Sequence, residues 1–358
     1  MIALVFCGDL KYCPYMKRYL ERLDEAKADY RVYFWSRTEK AAVDFDRYAA
    51  YDSASDLNAS PAKKLLDFVG FRSWLLRQLK KDQPKAIIVL STLTGIILGR
   101  FLYEKFKGRY IFDIRDYSYE HIAPFYAIEK RAIENSRFTA ISSKGFQDFL
   151  PPHPYVIAHN FNRNDMIRSF SFQKKEAPLK FVWNGVMRYF EFQTQYLNAL
   201  KNDSRFEMIY HGDGPEMAQY QKYCSENGFQ NVRFTGSYNN AQKAELLADA
   251  AILNNCYGYL SGNPENVRHA VSNRFYDGSL YHIPQVVESD GFKAAWGKKE
   301  GIAVDFPPDD HFADRLFDYY QALDGARFDA ACDAMIKKVI EEDDIYIARM
   351  DSFIQENK

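Results

Sequence analysis

The sequence predicts an α/β protein made of two Rossmann-like, doubly wound domains that face one cleft. Three observations lead to this prediction. The chain has 358 residues, which is too long for one hydrophobic core. Short apolar runs alternate with amphipathic segments, a pattern typical of parallel βαβ units. The alternation stops around 161–178 and then starts again, so we place a domain boundary there.

The first half contains six apolar runs that are short enough for strands buried on both faces. They lie at 1–7, 30–36, 86–91, 109–114, 138–142 and 155–158. The amphipathic segments between them predict helices at Tyr15–Ala26, Lys63–Lys80, Ile96–Phe106 and Ala127–Asn135. Region 37–60 is polar and irregular, which predicts a long surface loop.

The second half repeats the pattern. Strands are predicted at 179–184, 205–210, 232–235, 250–254, 284–288 and 302–306. Helices are predicted at 192–201, 215–227, 241–249, 272–281, 292–299 and 311–323, followed by two tail helices at Ala330–Val339 and Asp344–Gln355. We therefore assign 1–170 and 171–329 to the two domains, and 330–358 to helices that return to the first domain.

Composition excludes several classes of protein. Hydrophobic residues make up 47% and charged residues 27%, as in ordinary globular proteins. No run approaches the ~18 apolar residues of a membrane span, and the apolar start lacks the basic lead of a signal peptide. The five cysteines are scattered without a CxxC pair, so neither a disulfide framework nor a zinc site is expected. These features predict a cytoplasmic protein.

The net charge of −1 hides a difference between the two halves. Residues 1–170 carry 27 Lys and Arg against 20 Asp and Glu, a net charge of +7. Residues 171–358 carry 20 against 28, a net charge of −8. An anionic partner or surface for the first half would explain this asymmetry. The alternative is chance variation among solvated faces.

The turns that follow the strands hold the candidate site residues, because ligands of open α/β sheets bind beyond the carboxyl ends of the strands. In the second half, Gly212 and Gly214 stand before a predicted helix, where backbone amides favour an anion. The alternative for this pair is a tight strand-to-helix turn. Neither GxGxxG nor GxxxxGK[ST] occurs, which argues against an NAD enzyme and a P-loop NTPase.

Five spaced motifs of the second half resemble one family. They are Ile209-Tyr-His-Gly-Asp-Gly-Pro-Glu216, Asn231-Val-Arg-Phe-Thr-Gly236, Glu245-Leu-Leu-Ala-Asp-Ala-Ala-Ile252, Asn273-Arg-Phe-Tyr-Asp-Gly278 and Ile283-Pro-Gln-Val-Val287. In this order they resemble the C-terminal domain of GT-B glycosyltransferases of the family 4 type. Phe112-Asp-Ile-Arg-Asp116 and the stretch from Phe138 to Asn160 resemble the acceptor domain of the same enzymes.

The resemblance implies that the second domain binds a nucleotide-diphosphate sugar. It places Asp277 at the ribose hydroxyls, where a carboxylate can accept two hydrogen bonds, and Arg274 near the diphosphate. The alternatives are a helix-surface acid and a surface arginine. Further donor-binding candidates lie in the strand-end turns and beside the motifs: Gly185, Arg188, Gly212, Gly214, Gly236 and His269.

The sequence departs from the family pattern at two places. His269 stands where many relatives carry the first of two glutamates. Relatives also often carry an Arg and, five residues on, a Lys that holds the diphosphate; here Arg188 is followed by Phe192 and Gln193, so the lysine has no counterpart. The phosphate charge is then expected to be balanced by Arg188, Arg274 and backbone amides beyond Gly185 and in 262–268.

Acceptor-side and catalytic candidates come from the first domain. Asp116 follows a strand and is the candidate carboxylate for acceptor or sugar contact, with a helix N-cap as the alternative. His121 is a second catalytic candidate, with an ordinary surface or core histidine as the alternative. Gly8 and Asp9 are expected to line the acceptor side of the cleft, or to form a simple turn. The resemblance implies retention of anomeric configuration. Neither a metal nor a cofactor is expected.

Two basic segments of the first half predict contact with an anionic membrane. One combines Arg72, Arg77, Lys80 and Lys81 with Trp74, Leu75 and Leu76; the other contains Arg100, Lys105, Lys107 and Arg109. Many members of the resembling family act on polyprenyl-diphosphate-linked saccharides of capsules, O-antigens or exopolysaccharides. The implied acceptor is therefore a saccharide, free or lipid-linked, and the implied location is the cytoplasm or the inner face of the plasma membrane. No nucleic acid partner is expected.

Two other functions fit the same fold. One is a sugar-nucleotide epimerase or hydrolase, which would turn over the donor without an acceptor. The other is a non-catalytic scaffold that only binds a nucleotide, a reading supported by His269 and by the missing lysine.

Overall fold

The computed structural model describes residues 1–37, 46–53, 60–161, 163, 170–259 and 263–358. The chain forms two compact units. Unit 1 comprises Met1–His159 and Glu341–Lys358, and unit 2 comprises Asn160–Ile340. These limits differ from the predicted 170 and 330. Residues 164–169, just before the predicted limit, lie outside the described residues.

Unit 1 is built on a parallel sheet of seven strands in the order β3-β2-β1-β4-β5-β6-β7. The strands are β1 Ile2–Phe6, β2 Tyr30–Ser36, β3 Tyr48–Asp52, β4 Ala86–Leu90, β5 Tyr110–Ile114, β6 Phe138–Ile141 and β7 Val156–Ile157. β1, β4, β5 and β6 are buried along their whole length. This explains why their sequences are apolar almost without interruption.

The helices of unit 1 cover this sheet. They are α1 Met16–Glu25, α2 Pro61–Asp82, α3 Thr92–Leu98, α4 Arg100–Lys105 and α5 Ala123–Glu134. The predicted helix Ile96–Phe106 is wrong, because the chain forms α3 and α4 with a break at Gly99. α1 buries Met16, Tyr19 and Leu23, which recur at the three- and four-residue spacing of an amphipathic helix.

The predicted loop 37–60 contains a strand. β3 pairs with β2 in parallel and forms the edge of the sheet, with Tyr48 beside Val32 and Asp52 beside Ser36. Its residues are half-buried or exposed, so it lacks the apolar run that identified the other strands. The predicted loop is therefore wrong for this stretch. Residues 38–45 and 54–59 of the same prediction lie outside the described residues.

Unit 2 repeats this architecture with six parallel strands in the order β10-β9-β8-β11-β12-β13. The strands are β8 Leu179–Asn184, β9 Phe206–His211, β10 Val232–Gly236, β11 Ile252–Asn255, β12 Gln285–Val287 and β13 Ala303–Val304. Both sheets thus share the 3-2-1-4-5-6 order of the Rossmann fold, with a seventh strand added in unit 1. The predicted fold class, two Rossmann-like doubly wound α/β domains, is confirmed.

The helices of unit 2 are α6 Phe190–Ala199, α7 Met217–Glu226, α8 Lys243–Leu247, α9 Pro264–His269, α10 Asn273–Leu280, α11 Phe292–Glu300 and α12 Phe312–Ala322. The sequence analysis missed α9, which is only six residues long. The other six coincide with predicted helices to within a few residues at their ends.

One long helix, α13 Gly325–Asn357, replaces the two predicted tail helices. The predicted tail helices leave a break at residues 340–343. In unit 1, however, Asp343 is fully buried and paired with Arg18, and Glu342 contacts His159 and Lys144. Two acidic side chains of this stretch thus have partners in unit 1, and the helix is continuous through it. Beyond it, four apolar side chains enter the core of unit 1: Tyr346, Met350, Phe353 and Ile354.

Two further features bear on the predicted class of protein. All five cysteines are buried as free thiols. In the described part of the chain, no helix has the length and apolarity needed to cross a membrane.

Candidate functional site

A cavity of about 330 Å³ opens at the carboxyl ends of β8 and β11 in unit 2. This is the edge of the sheet at which open α/β domains bind ligands. Its walls come from the turn after β8, the segment after β10, the loop after β11 and the first turns of α10. The lining residues are Asn184, Gly185, Val186, Arg188, Tyr189, Tyr238, Asn240, Lys243, Tyr257, Asn273, Arg274 and Asp277.

The floor of the cavity depends on close contact between two turns. Gly212, after β9, has φ +136°, and a Cβ there would lie 1.9 Å from the carbonyl oxygen of Gly185. The amide of Gly185 in turn donates to the carbonyl of His211, at 2.8 Å. Only glycine fits this approach, which presses the turn after β9 beneath the turn after β8. Gly212 therefore fixes the position of the turn that contains Gly185, which lines the cavity.

Arg274 ties the two central strands together at the site. The side chain is buried; Nε donates to the carbonyl of Asn184 at 2.6 Å and Nη1 to that of Asn254 at 3.2 Å. The guanidinium stacks on the ring of Trp183, 3.5 Å from its centre. Asn184 ends β8 and Asn254 lies in β11, so Arg274 satisfies carbonyl groups at two strand ends. The surface-arginine alternative is excluded.

Asp277 lies one helical turn beyond Asn273 and faces the same cavity. Oδ1 accepts a hydrogen bond from Lys243 Nζ at 3.0 Å, and Oδ2 accepts one from Asn184 Nδ2 at 3.1 Å. Burial raises the pKa of this carboxyl, and the ammonium of Lys243 partly offsets the effect. The side chain is 9% exposed, which excludes the alternative of a helix-surface acid.

Arg188 is the exposed cation of the cavity. Its backbone is fixed, because the hydroxyl of Tyr220 donates to its carbonyl at 2.6 Å, while its side chain stays exposed at the cavity wall. Tyr238 faces the cavity from the segment after β10, and burial raises the pKa of its hydroxyl. The site thus combines an exposed guanidinium with hydrogen-bonding groups, a set suited to an anionic polar ligand.

Tyr257, which lines the cavity, contacts a buried ion pair formed by Glu288 and Lys293. Its amide donates to Glu288 Oε2 at 2.7 Å, and the same oxygen lies 3.0 Å from Lys293 Nζ. Lys293 also lies 4.1 Å from the centre of the Tyr257 ring. Burial raises the pKa of Glu288 and Lys293 lowers it. These contacts hold the loop after β11 in place.

Three other donor-binding candidates do not line this cavity. Gly214 packs against the turn after β8, where a Cβ would lie 2.7 Å from the backbone nitrogen of Met187. Gly236 ends β10 and accepts a hydrogen bond from the amide of Gly212 at 2.9 Å. His269 ends α9, with its Nε2 3.8 Å from Glu265. Gly212 and Gly214 thus form close backbone contacts, as the tight-turn alternative for this pair predicts, and Gly236 contacts the same turn through its carbonyl.

The candidates of the first half lie at the corresponding edge of unit 1. Gly8 and Asp9 follow β1, and the carboxylate of Asp9 accepts the backbone N–H of Arg37 at 2.7 Å. Asp116 follows β5 and is exposed. His121 is also exposed, and its ring stacks on that of Tyr117 with 6.1 Å between centres.

The sequence analysis missed four important residues of the cavity: Lys243, Tyr238, Asn184 and Tyr257. Lys243 begins α8 and reaches the carboxylate of α10, a contact that no spacing in the sequence indicates. Asn184 and Tyr257 lie in strand-end turns, so their location was the available signal. Of the expected amides in 262–268, residue 262 lies outside the described residues, and the others do not line the cavity.

No family model matches the chain, and a search of the curated proteins finds no relative. Solved structures do match over the whole chain. The lipopolysaccharide outer core galactosyltransferase WaaB, in its apo form, has a TM-score of 0.60 and 14% identity, covering 100% of both chains. HepE of Anabaena, in complex with UDP, has a TM-score of 0.66 and 11% identity, covering 98% of this chain and 100% of its own. The chain therefore has the GT-B fold.

A third match shows that this fold also supports another activity. The UDP-GlcNAc 2-epimerase of Neisseria meningitidis, bound to UDP-GlcNAc, has a TM-score of 0.52 and 12% identity over 95% of this chain and 100% of its own. The GT-B fold implied by the sequence motifs is confirmed. The reaction has to be argued from the residues of the cavity.

Proposed function

We propose that this GT-B protein is a glycosyltransferase that takes its sugar from a nucleotide-diphosphate sugar. The observation that carries the proposal is the cavity of unit 2, where Asp277, Lys243 and Arg188 lie at one strand edge. The UDP in HepE and the sugar nucleotide in the epimerase of N. meningitidis support a nucleotide sugar as the ligand. The acceptor is a saccharide, free or lipid-linked, in the synthesis of a bacterial surface polysaccharide.

Different residues of the cavity contact different parts of the nucleotide sugar. Asp277 accepts hydrogen bonds from the two ribose hydroxyls, with Lys243 and Asn184 fixing its orientation. Arg188 balances the charge that develops on the leaving diphosphate, since a cation in a partly dry cavity stabilises it more than water does. We propose that Asp116 and His121 act on the acceptor side and that anomeric configuration is retained, which NMR of the product tests. No metal or cofactor enters this scheme.

Replacing Asp277 by Asn is expected to weaken binding of a nucleoside diphosphate by about 1.5–3 kcal/mol, the usual value of hydrogen bonds to a charged group. This corresponds to roughly a 10- to 150-fold higher Kd. Isothermal titration with UDP, GDP and ADP measures the change and identifies the base. Asp318→Asn is the control, because Asp318 is exposed on α12, away from the cavity. Equal affinity in the Asp277 and Asp318 variants would refute the assignment.

A sugar-nucleotide epimerase or hydrolase is the second candidate, favoured by the match to the epimerase of N. meningitidis. Incubating the bound sugar nucleotide without an acceptor separates the two activities. Rapid isomerisation or hydrolysis that added acceptor does not change would identify the second candidate. Slow turnover that an acceptor accelerates would identify the transferase. Binding without turnover in either case would identify the non-catalytic scaffold.

We also propose contact with an anionic membrane, through cations of α2 that the sequence indicated but through different apolar side chains. Leu75 is fully buried and Trp74 packs in an aromatic cluster, so neither is available. Instead Leu65, Leu66 and Val69 are 62%, 70% and 52% exposed on α2. The exposed charged side chains of α2 are all cations: Lys63, Arg72, Arg77, Lys80 and Lys81. An apolar strip within a cationic helix face fits the interface of an anionic bilayer.

Replacing Leu65 and Leu66 by Ser is expected to weaken binding to anionic vesicles at least tenfold, because both side chains would lose apolar burial in the bilayer. Co-sedimentation with vesicles of phosphatidylglycerol and phosphatidylcholine measures this binding. The control replaces Tyr12 by Ser, since Tyr12 is 63% exposed but lies outside α2. Binding that is equal on neutral vesicles, or unchanged in the Leu65/Leu66 variant, would contradict the proposed surface.

A further inference from the structure

The carboxyl ends of β1 and β2 hold an arginine whose guanidinium has no carboxylate partner among the described residues. Arg37 directly follows β2, which pairs with β1 in parallel. Among the described residues, its buried Nε has no hydrogen-bond partner, and its Nη2 donates to one acceptor, the sulfur of Cys7 at 3.5 Å. Leaving a buried donor of a charged group unsatisfied costs free energy. A ligand that supplied the missing acceptor would recover that cost.

Two aromatic rings hold the guanidinium in place, and no carboxylate of the described residues pairs with it. It lies 4.0 Å from the centre of the Trp35 ring and 5.3 Å from that of Phe68. The nearby carboxylate of Asp9 accepts the backbone N–H of Arg37. Stacking on aromatic rings fixes the plane of a guanidinium while leaving its N–H groups available. Arg37 is therefore preorganised to accept a planar or tetrahedral oxyanion.

Apart from the carboxylate of Asp9, the polar groups near Arg37 are uncharged. Burial raises the pKa of Cys7 to about 12, so its thiol carries no charge at neutral pH. Thr94 follows β4 and accepts the backbone N–H of Cys7 at 2.9 Å; its hydroxyl lies 3.1 Å from that of Ser91. Tyr119 is close enough for Arg37 to lower the pKa of its hydroxyl, which burial raises. A cation beside hydroxyl groups at a strand edge is the composition of an oxyanion site.

We propose that the carboxyl ends of β1 and β2 form an anion subsite of unit 1, in which Arg37 binds a phosphate or carboxylate group. Resting on the proposed function, this group belongs to the acceptor, which is then either a phosphorylated saccharide or an acidic sugar. Arg37 recognises the oxygens that both groups share, and its fork of N–H donors allows two parallel hydrogen bonds. It determines which acceptors are selected.

The test is isothermal titration at constant ionic strength with inorganic phosphate, glucuronate and glucose. All proteins carry Arg188→Gln, which weakens the other expected phosphate site. We expect phosphate or glucuronate to bind, glucose not to bind, and the added Arg37→Gln change to raise the Kd of the anion at least tenfold. Arg349→Gln is the matched control, because Arg349 is an exposed arginine of α13 in the same unit. The Kd of the anion for this control should stay within twofold of the Kd for the protein that keeps Arg37 and Arg349.

The outcomes separate the sources of the anion. Tighter Arg37-dependent binding of phosphate identifies a phosphorylated acceptor, and tighter binding of glucuronate an acidic sugar. The Arg37→Lys variant keeps the charge and serves as the second variant if Arg37→Gln unfolds. It should bind the anion more weakly than the protein with Arg37, because lysine lacks the planar fork of N–H donors. Binding of neither anion, or anion binding that is equal with and without Arg37, overturns the proposal.

The two proposals can fail independently. Nucleoside diphosphate binding is measured on the Arg37→Gln single variant, which leaves the cavity of unit 2 untouched. If the nucleotide binds and the anions do not, the anion subsite is wrong and the proposed donor site stands. If the anions bind through Arg37 and no nucleotide binds, the anion subsite stands and the proposed function is wrong.

Discussion

Replacing Arg274 by Ala is expected to lower the free energy of unfolding by about 3–5 kcal/mol, the range seen for large buried truncations and lost charged hydrogen bonds. The change removes two hydrogen bonds, to the carbonyls of Asn184 and Asn254, and leaves both acceptors buried at strand ends. It also removes the stacking on Trp183. Arg274 therefore contributes more to the stability of unit 2 than the diphosphate role alone would indicate.

Urea unfolding followed by tryptophan fluorescence measures this loss, since Trp183 reports on unit 2 directly. Arg188→Ala is the matched control, because Arg188 is exposed in the same cavity and truncation of an exposed side chain usually changes stability by less than about 0.5 kcal/mol. We expect Arg188→Ala to weaken nucleotide binding and leave the midpoint unchanged. Equal unfolding midpoints for the two variants would contradict the structural role of Arg274.

The sequence predicted the buried strands well and the edge of the sheet poorly. A strand buried on both faces has to be apolar along its length, so β1 and β4 stand out as continuous runs. β3 lies at the sheet edge beside β2 with half-exposed residues, so Tyr48-Ala-Ala-Tyr-Asp52 shows neither a continuous apolar run nor a clear alternation. The sequence analysis therefore missed β3 because the strand is partly exposed, and local composition does not distinguish such a strand from a loop.

The same limit applies to α13. Residues 340–343 separate the two predicted tail helices, and only the fold brings Arg18, Lys144 and His159 against their side chains. These partners are distant in the sequence, so the continuous helix could not be inferred from local residues.

The candidate site was predicted in part because its motif residues share one helix. Arg274 and Asp277 lie three residues apart on α10, so a linear motif captures both. Lys243 comes from α8 and Tyr238 from the segment after β10, and their place in the cavity depends on tertiary structure. The family pattern pointed instead to position 193, five residues after Arg188, where the chain has Gln. Lys243 is a cation at this site that the linear pattern did not anticipate.

Glu129 makes unit 1 sensitive to pH. It lies on α5, only 1% exposed; one carboxyl oxygen accepts the hydroxyl of Thr92 at 3.3 Å, and the other has no partner among the described residues. Burial, together with the smaller effect of the charge of Glu120, raises the pKa of Glu129 from 4.5 to about 8. The folded protein therefore holds a proton on Glu129 at neutral pH that the unfolded chain has released.

The sign of the effect follows from linkage. Below pH 4.5 both states are protonated, and the neutral Glu129 imposes no penalty on folding. As the pH rises from 4.5 to about 8, the unfolded chain gains by ionising, so the free energy of unfolding falls. The glutamine of the Glu129→Gln variant cannot ionise, so the free energy of unfolding of this variant does not fall in this way. Above pH 8 the variant is expected to be more stable than the unaltered protein by roughly 3–5 kcal/mol, at about 1.4 kcal/mol for each pH unit of separation.

Thermal and urea unfolding between pH 4.5 and 9 measures the effect as a difference between two curves. The curves of the unaltered protein and of Glu129→Gln should converge near pH 5 and separate steadily toward pH 8, because Glu129 is then the group that distinguishes them. Glu134→Gln is the control, since Glu134 lies on the same helix, exposed and 3.9 Å from Lys130; its curve should run parallel to that of the unaltered protein. Parallel curves for Glu129→Gln as well would mean that Glu129 is ionised in the folded state, and that its burial is compensated by a cation close to α5.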